Sequence, residues 1–88
     1  MKISTDYVIR EIAGEYIIVP TGKAAMKLNG MITVNETGVF LWKELQEGTT
    51  EEELVSAMCE EFDVDEVTAR ADVREFLEKL SAEEILEE

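Results

Sequence analysis

The side chains that could do chemistry in this sequence are almost all carboxylates. The chain carries 21 Asp and Glu residues against 8 Lys and Arg residues, with a single cysteine and no histidine. Without histidine, neither Ser-His-Asp nor Cys-His catalysis can operate, and a lone Cys59 cannot complete a Cys/His zinc site. The sequence also contains neither a calcium-loop pattern nor a glycine-rich phosphate loop. We therefore expect a protein that is not an enzyme, with no catalytic residues, no metal and no cofactor.

Arg70 and Arg74 are the more informative charged residues. They lie four residues apart, so they share one face of a helix. In one interpretation each arginine forms ion pairs within its own helix, with partners drawn from Glu66, Glu75 and Glu78. In the other, the two arginines form a positive site for an acidic peptide, beside an apolar groove lined by Ala69, Val73 and Leu77. The sequence leaves both interpretations open.

The distribution of charge excludes several classes of partner. Residues 1–44 are electrically balanced, so residues 45–88 carry the whole net charge of −13. A charge of this size and sign repels the phosphates of nucleic acids and anionic membrane surfaces. No stretch approaches the roughly 20 apolar residues of a membrane span, and the polar segment Met1–Asp6 is unlike a secretory signal. We expect a cytoplasmic protein that binds neither nucleic acid nor membrane.

Three β-strands are predicted within residues 7–34. Tyr7–Ile12 and Glu15–Val19 are rich in β-branched and aromatic residues, and the short Ala13-Gly14 link between them predicts a β-hairpin. Met31–Val34 follows the turn signal Asn29-Gly30 and predicts a third short strand. A three-stranded sheet has open edges, whose unpaired backbone groups allow an extended peptide to add as a further strand.

Three helices are predicted to follow, over about 35–47, 51–62 and 65–81, each with a good N-cap residue. These caps are Asn35, Thr50 and Asp65, with Glu53 completing a capping box at the second helix. Trp42, the only tryptophan, is expected to anchor the core. Residues 82–88 either extend the third helix or form a short closing segment.

The order of these elements predicts an α+β fold. A three-stranded antiparallel sheet followed by three helices is the arrangement of a small winged helix-turn-helix variant. None of the helices could bury its apolar stripe alone, so the sheet and helices must share one core. We expect residues 1–88 to form a single domain, either monomeric or dimerised through an open sheet edge.

The sequence resembles the PqqD-like family, the precursor-peptide recognition domains of ribosomal-peptide modification systems. The resemblance is carried by the order and spacing of three pieces along the chain. The first is an apolar strand followed by Asn-x-Thr and an apolar helix, the second is a turn with its capping box, and the third spans the end of the second helix and the third helix. The pieces are Ile32–Trp42, Gly48–Leu54, and Phe62–Asp65 with the following Ala71–Val73 and Phe76-Leu77.

The resemblance implies a non-catalytic peptide-binding chaperone. Such a domain binds the leader of a ribosomally made precursor peptide by strand addition and presents it to a modifying enzyme, often a radical S-adenosylmethionine enzyme. The peptide-binding residues that it implies are Met31, Ile32, Thr33 and Val34 on the third strand and Arg70, Val73, Arg74 and Leu77 on the third helix. Two alternatives remain: a regulatory adaptor that docks on a partner protein, and a DNA-binding winged helix, which the acidic charge disfavours.

Overall fold

The computed structural model describes residues 1–22 and 32–87. The predicted site residue Met31, and Lys23–Leu28, to which the sequence pattern assigns no element, lie outside the described residues. In chain order the elements are β1 (Lys2–Ile3), β2 (Tyr7–Ile12), β3 (Glu15–Pro20), β4 (Ile32–Val34), α1 (Glu36–Glu47), α2 (Glu51–Phe62), α3 (Glu66–Ala82) and β5 (Leu86–Glu87).

The three predicted strands form one antiparallel sheet in the order β2-β3-β4. Ile9 pairs with Ile18, which in turn pairs with Ile32, so one row of isoleucines crosses the sheet on the face that packs on the core. The hairpin turns at Ala13 and Gly14, and both residues have positive φ. Two-residue hairpin turns whose twist matches that of the strands require positive φ at these positions. The predicted α+β fold is therefore confirmed.

A second, two-stranded ribbon was not predicted. β1 pairs with β5 in antiparallel register, with Ile3 opposite Leu86, and the Ser4 N–H donates to the Ile85 carbonyl over 2.8 Å. Ile85 is completely buried, so the tail forms a closing segment rather than extending α3. Strands of two residues have no periodicity of their own, which is why the sequence pattern does not reveal them.

The predicted N-caps are confirmed. The side-chain oxygens of Asn35, Thr50 and Asp65 accept the backbone N–H three residues on, over 2.8, 3.2 and 2.7 Å. The capping box differs in detail, because the Glu53 carboxylate accepts from the Thr50 hydroxyl instead of from its backbone. Gly48 caps the C-terminus of α1 with a φ of 90°, which few other residues adopt readily.

The core lies between the helices and the sheet. Trp42 is fully buried, as predicted, and no hydrogen-bond partner for its indole N–H is found within the described residues. Cys59 is half-buried at the margin of the core. None of the helices in residues 1–22 and 32–87 is long and apolar enough to cross a membrane. The largest fully buried side chains are Trp42, Ile18, Leu41, Leu45, Leu54, Met58, Leu80, Ile85 and Val73.

Candidate functional site

A groove of about 380 Å³ runs between β4, the first turns of α1, and α3. It is bounded by a sheet edge on one side and a helix on the other, the two kinds of element that an extended peptide can contact simultaneously. The lining residues are Thr33, Val34, Asn35, Thr37, Gly38, Leu41, Asp72, Glu75, Phe76 and Lys79.

The sheet side of the groove is an open strand edge. β4 pairs with β3 on one side, and within the described residues no strand pairs with its other side. The backbone N–H and C=O groups that point outward from Ile32–Val34 are therefore available to a further strand. Thr33 is exposed, whereas Val34 is buried and contributes an apolar surface to the groove.

The helix side of the groove combines charged and apolar groups. Asp72, Glu75, Phe76 and Lys79 recur at helical spacing, so they share one face of α3, which we call the groove flank. Phe76 is 8% exposed and packs into the core, while the three charged residues are exposed. The groove flank therefore presents an apolar ring with acids toward the start of the helix and an ammonium toward its end.

Gly38 lies where the three walls of the groove meet. A Cβ atom at this position would lie 3.1 Å from the Val34 Cβ and 3.2 Å from the Phe76 Cε1. Contacts this short would force a neighbour to move, so a glycine allows α1, β4 and α3 to approach closely here. Leu41, one turn further along α1, is 1% exposed and completes the apolar floor.

The sequence-predicted site residues divide between the groove and other places. On the strand, Thr33 and Val34 line the groove, and Ile32 is half-buried against the core. On the helix, Val73 and Leu77 are 0% and 8% exposed and belong to the core, where they support α3 instead of lining the groove.

Arg70 and Arg74 lie on a different side of α3, which we call the α2 flank. The Arg70 guanidinium donates to both Glu52 carboxylate oxygens over 2.8 and 3.0 Å and to Glu51 over 3.1 Å. The Arg74 Nε donates to the same Glu51 oxygen over 3.2 Å. The two arginines therefore join α3 to the first turn of α2, and neither lines the groove.

Of the expected intrahelical partners, Glu66 is confirmed, because it forms an i,i+4 ion pair with Arg70 at 3.9 Å. Within the described residues no ion pair with Glu75 or Glu78 is present, and the shorter ion pairs of both arginines are made with α2 instead. The hydrogen bonds from Arg70 lower the pKa of the Glu52 carboxyl, and the same bonds raise the pKa of the Arg70 guanidinium. Helix-to-helix partners of this kind lie 18 or 19 residues away in sequence, beyond the reach of local spacing rules.

A second, more open concavity lies on the far side of α3 from the groove. Arg74, Leu77 and Glu78 line it together with the ribbon residue Leu86. Within residues 1–22 and 32–87, no group of three or more His, Cys, Asp or Glu residues is arranged to hold a metal ion.

The sequence reasoning missed the groove flank. A usable signal was present, because Asp72, Glu75 and Lys79 flank the core stripe at spacings of three and four residues. What the sequence could not supply was the direction in which that face points, which depends on how α3 packs against α1 and β4.

The fold and the groove define a small α+β domain with an open strand edge beside a helix, a form suited to binding an extended chain. The sequence family described as Coenzyme PQQ synthesis protein D (PqqD) matches residues 15–86, and the chain belongs to this family. No curated protein matches the chain significantly.

Two solved structures are similar to this chain. The structure of TbiB1 in complex with the TbiA(beta) leader peptide has 33% sequence identity and a TM-score of 0.75, covering 99% of this chain and 95% of TbiB1. The structure of lasso peptide synthetase B1 complexed with the leader peptide has 12% identity and a TM-score of 0.70. The match covers 92% of this chain and 89% of the lasso peptide synthetase B1 chain, and it supports the fold alone.

Proposed function

We propose that this chain binds the leader of a ribosomally made precursor peptide in the groove between β4 and α3, and presents it to a modifying enzyme. The observation that carries the proposal is the open edge of β4, which borders a groove with an apolar floor. The proposal is supported by the 33% identical TbiB1, whose structure is a complex with a leader peptide.

Strand addition would use the backbone of Ile32–Val34 for affinity. Peptide N–H and C=O groups would extend the β2-β3-β4 sheet by one strand, and alternate peptide side chains would point into the groove. There they would meet the apolar surfaces of Val34, Leu41 and Phe76. Burial of apolar surface gives roughly 25 cal/mol per Å², part of which is offset by ordering the peptide.

The remaining predicted site residues would act indirectly. Val73 and Leu77 would fix the position of α3 from the core side, and Arg70 and Arg74 would fix it from α2 through their ion pairs. In this assignment the peptide contacts the groove flank of α3, and the α2 flank holds that helix in place. The domain supplies binding and orientation, and the chemistry belongs to the enzyme that receives the peptide.

The recipient, in the proposal, is a modifying enzyme of the radical S-adenosylmethionine type, as the family resemblance implies. The encounter would take place in the cytoplasm, where a ribosomally made precursor is released. We propose that residues 1–88 act as one recognition domain. The DNA-binding alternative is weakened, because Arg70 and Arg74, the residues on which it depends, are engaged by glutamates.

An NMR titration of the labelled protein tests the proposal. The probe is the leader of a short precursor peptide encoded beside this gene, and a scrambled peptide of the same composition is the control. We expect the largest amide shifts at Ile32–Val34 and along the groove flank, with smaller shifts at Arg70 and Arg74. Shifts confined to the α2 flank, or equal shifts with the scrambled peptide, would contradict the proposed site.

A further inference from the structure

The groove flank has an ordered charge pattern that limits which peptides fit. From the start of α3 toward its end, the groove meets Asp72, Glu75, then the Phe76 ring, then Lys79. Within the described residues, none of these three charges takes part in an ion pair, whereas Arg70 and Arg74 both do. The charges of the groove flank are thus available to a ligand.

We propose, resting on the function proposed above, that the groove selects a peptide segment with a basic, an apolar and an acidic side chain on one face. The basic side chain lies against Asp72 and Glu75, the apolar one against Phe76, and the acidic one against Lys79. The charge order therefore fixes both the register and the direction of the bound strand along α3.

The spacing of the groove flank matches that of an extended peptide. Asp72 and Lys79 are separated by about 10 Å along α3, from a rise of about 1.5 Å per residue. Side chains on one face of a strand repeat every two residues, so positions i and i+4 lie about 13 Å apart. Long basic and acidic side chains at i and i+4 can lean inward to meet the helix charges, which leaves position i+2 above Phe76.

Charge complementarity here acts mainly on selectivity. A peptide that covers the groove removes water from Glu75 and Lys79, and a charge that loses water without gaining a partner weakens binding. A like charge placed opposite costs more still, so peptides with the reversed order are rejected. Because two acids, Asp72 and Glu75, face the same peptide position, the preference for a basic residue there is expected to be stronger than the preference for an acidic residue opposite Lys79.

Glu75 and Glu78 provide a matched pair of variants. Both are exposed glutamates on α3, three residues apart, but Glu75 lines the groove whereas Glu78 lines the second concavity and not the groove. Glu75→Lys and Glu78→Lys change the net charge equally. Any difference between them therefore reports the position of the charge and not its total.

A displayed library of random 12-residue peptides is selected against the wild-type protein and both variants. We expect wild type and Glu78→Lys to enrich Lys or Arg four residues from Asp or Glu, with an apolar residue midway. Glu75→Lys should lose the basic preference. For a peptide selected on wild type, Glu75→Lys should weaken binding about tenfold, and replacing the peptide's basic residue by Glu should restore most of that loss.

Two results would overturn the inference, and they differ in what they say about the proposed function. If selected peptides shift the amides of Ile32–Val34 but show no charge order, and the two variants bind them equally, the charge rule is wrong while the groove stands. If the selected peptides leave the groove amides unshifted, the proposed function fails and the charge rule fails with it.

Discussion

The two flanks of α3 carry similar numbers of charges but use them differently. On the α2 flank, Arg70 and Arg74 are held by glutamates over 2.8 to 3.2 Å, and Arg70 is 26% exposed. On the groove flank, the charged side chains are exposed and, within the described residues, make no ion pair.

In the proposed function, this difference separates a structural role from a binding role on one helix. Charges that already have partners gain little from a ligand, whereas unpaired charges beside an apolar floor gain a partner when a peptide binds. The scarcity of basic residues in 45–88 draws attention to Arg70 and Arg74, yet it is the third basic residue, Lys79, that lines the groove. The following variants test this division, in order of decreasing effect.

The largest effect is expected from Phe76→Ala. Phe76 is 8% exposed and belongs to both the core and the groove, so its loss should lower the free energy of unfolding by about 3–5 kcal/mol. The molecules that remain folded should also bind the peptide more weakly. Urea denaturation and calorimetric titration measure the two effects.

Leu80→Ala is the matched control for Phe76→Ala. Leu80 is fully buried one turn further along α3 but does not line the groove, and its truncation should cost about 2–5 kcal/mol. Its folded fraction should retain wild-type peptide affinity. Equal losses of affinity in both variants would mean that Phe76 acts through stability alone.

A smaller effect is expected from removing the α1 cap. Asn35 accepts the Gly38 N–H over 2.8 Å at the rim of the groove, so Asn35→Ala should cost about 1 kcal/mol and reduce peptide affinity. Asn35→Ser preserves a capping oxygen and should remain close to wild type in thermal unfolding.

Thr50→Ala is the corresponding control away from the groove. Thr50 caps α2 through the Glu53 N–H, so its loss should also cost about 1 kcal/mol. Peptide affinity should be unchanged, because Thr50 does not line the groove. A matching fall in affinity would show that the groove responds to global stability.

The smallest effect is a change in pH dependence on the α2 flank. Hydrogen bonds from Arg70 lower the pKa of the Glu52 carboxyl from its ordinary value of 4.5. As the pH falls, Glu52 is therefore protonated in the unfolded chain at a higher pH than in the folded protein. The stability that the pair contributes is therefore present above about pH 4.5. It is lost as the pH falls through the lowered folded value.

Arg70→Met removes this contribution and should flatten the stability profile below about pH 4.5. Asp65, whose pKa is lowered by hydrogen bonding to the Thr68 N–H, should continue to titrate in both proteins and serves as an internal reference. Urea midpoints between pH 3 and pH 7 measure the difference. Parallel profiles for the two proteins would show that the Arg70–Glu52 contact does not persist in solution.

Much of the architecture follows from local sequence rules. The caps at Asn35, Thr50 and Asp65 and the turn at Ala13-Gly14 are determined by residues within three positions of one another. The strand and helix content was predictable for this reason, because side-chain caps and positive-φ turns act over a few residues. The buried stripe of α3 obeys the helical repeat in the same way.

Long-range contacts decided the rest. The hydrogen-bond partners of Arg70 lie at the start of α2, and the buried Ile85 accepts a backbone hydrogen bond from Ser4 beside the β1-β5 pairing. Val34 and Phe76 approach Gly38 from two other elements. None of these contacts has a period or a fixed spacing in the sequence. Each depends on the relative placement of elements that pack through the shared core.

The sequence by itself determined the three strands of the main sheet, the three helices and their caps, the acidic second half and the absence of histidine chemistry. Only the tertiary structure decided which face of α3 borders the open edge of β4, and hence which charges are available to a peptide. The physical reason is that helix spacing assigns residues to faces, while the direction of each face is set by packing between elements distant in sequence.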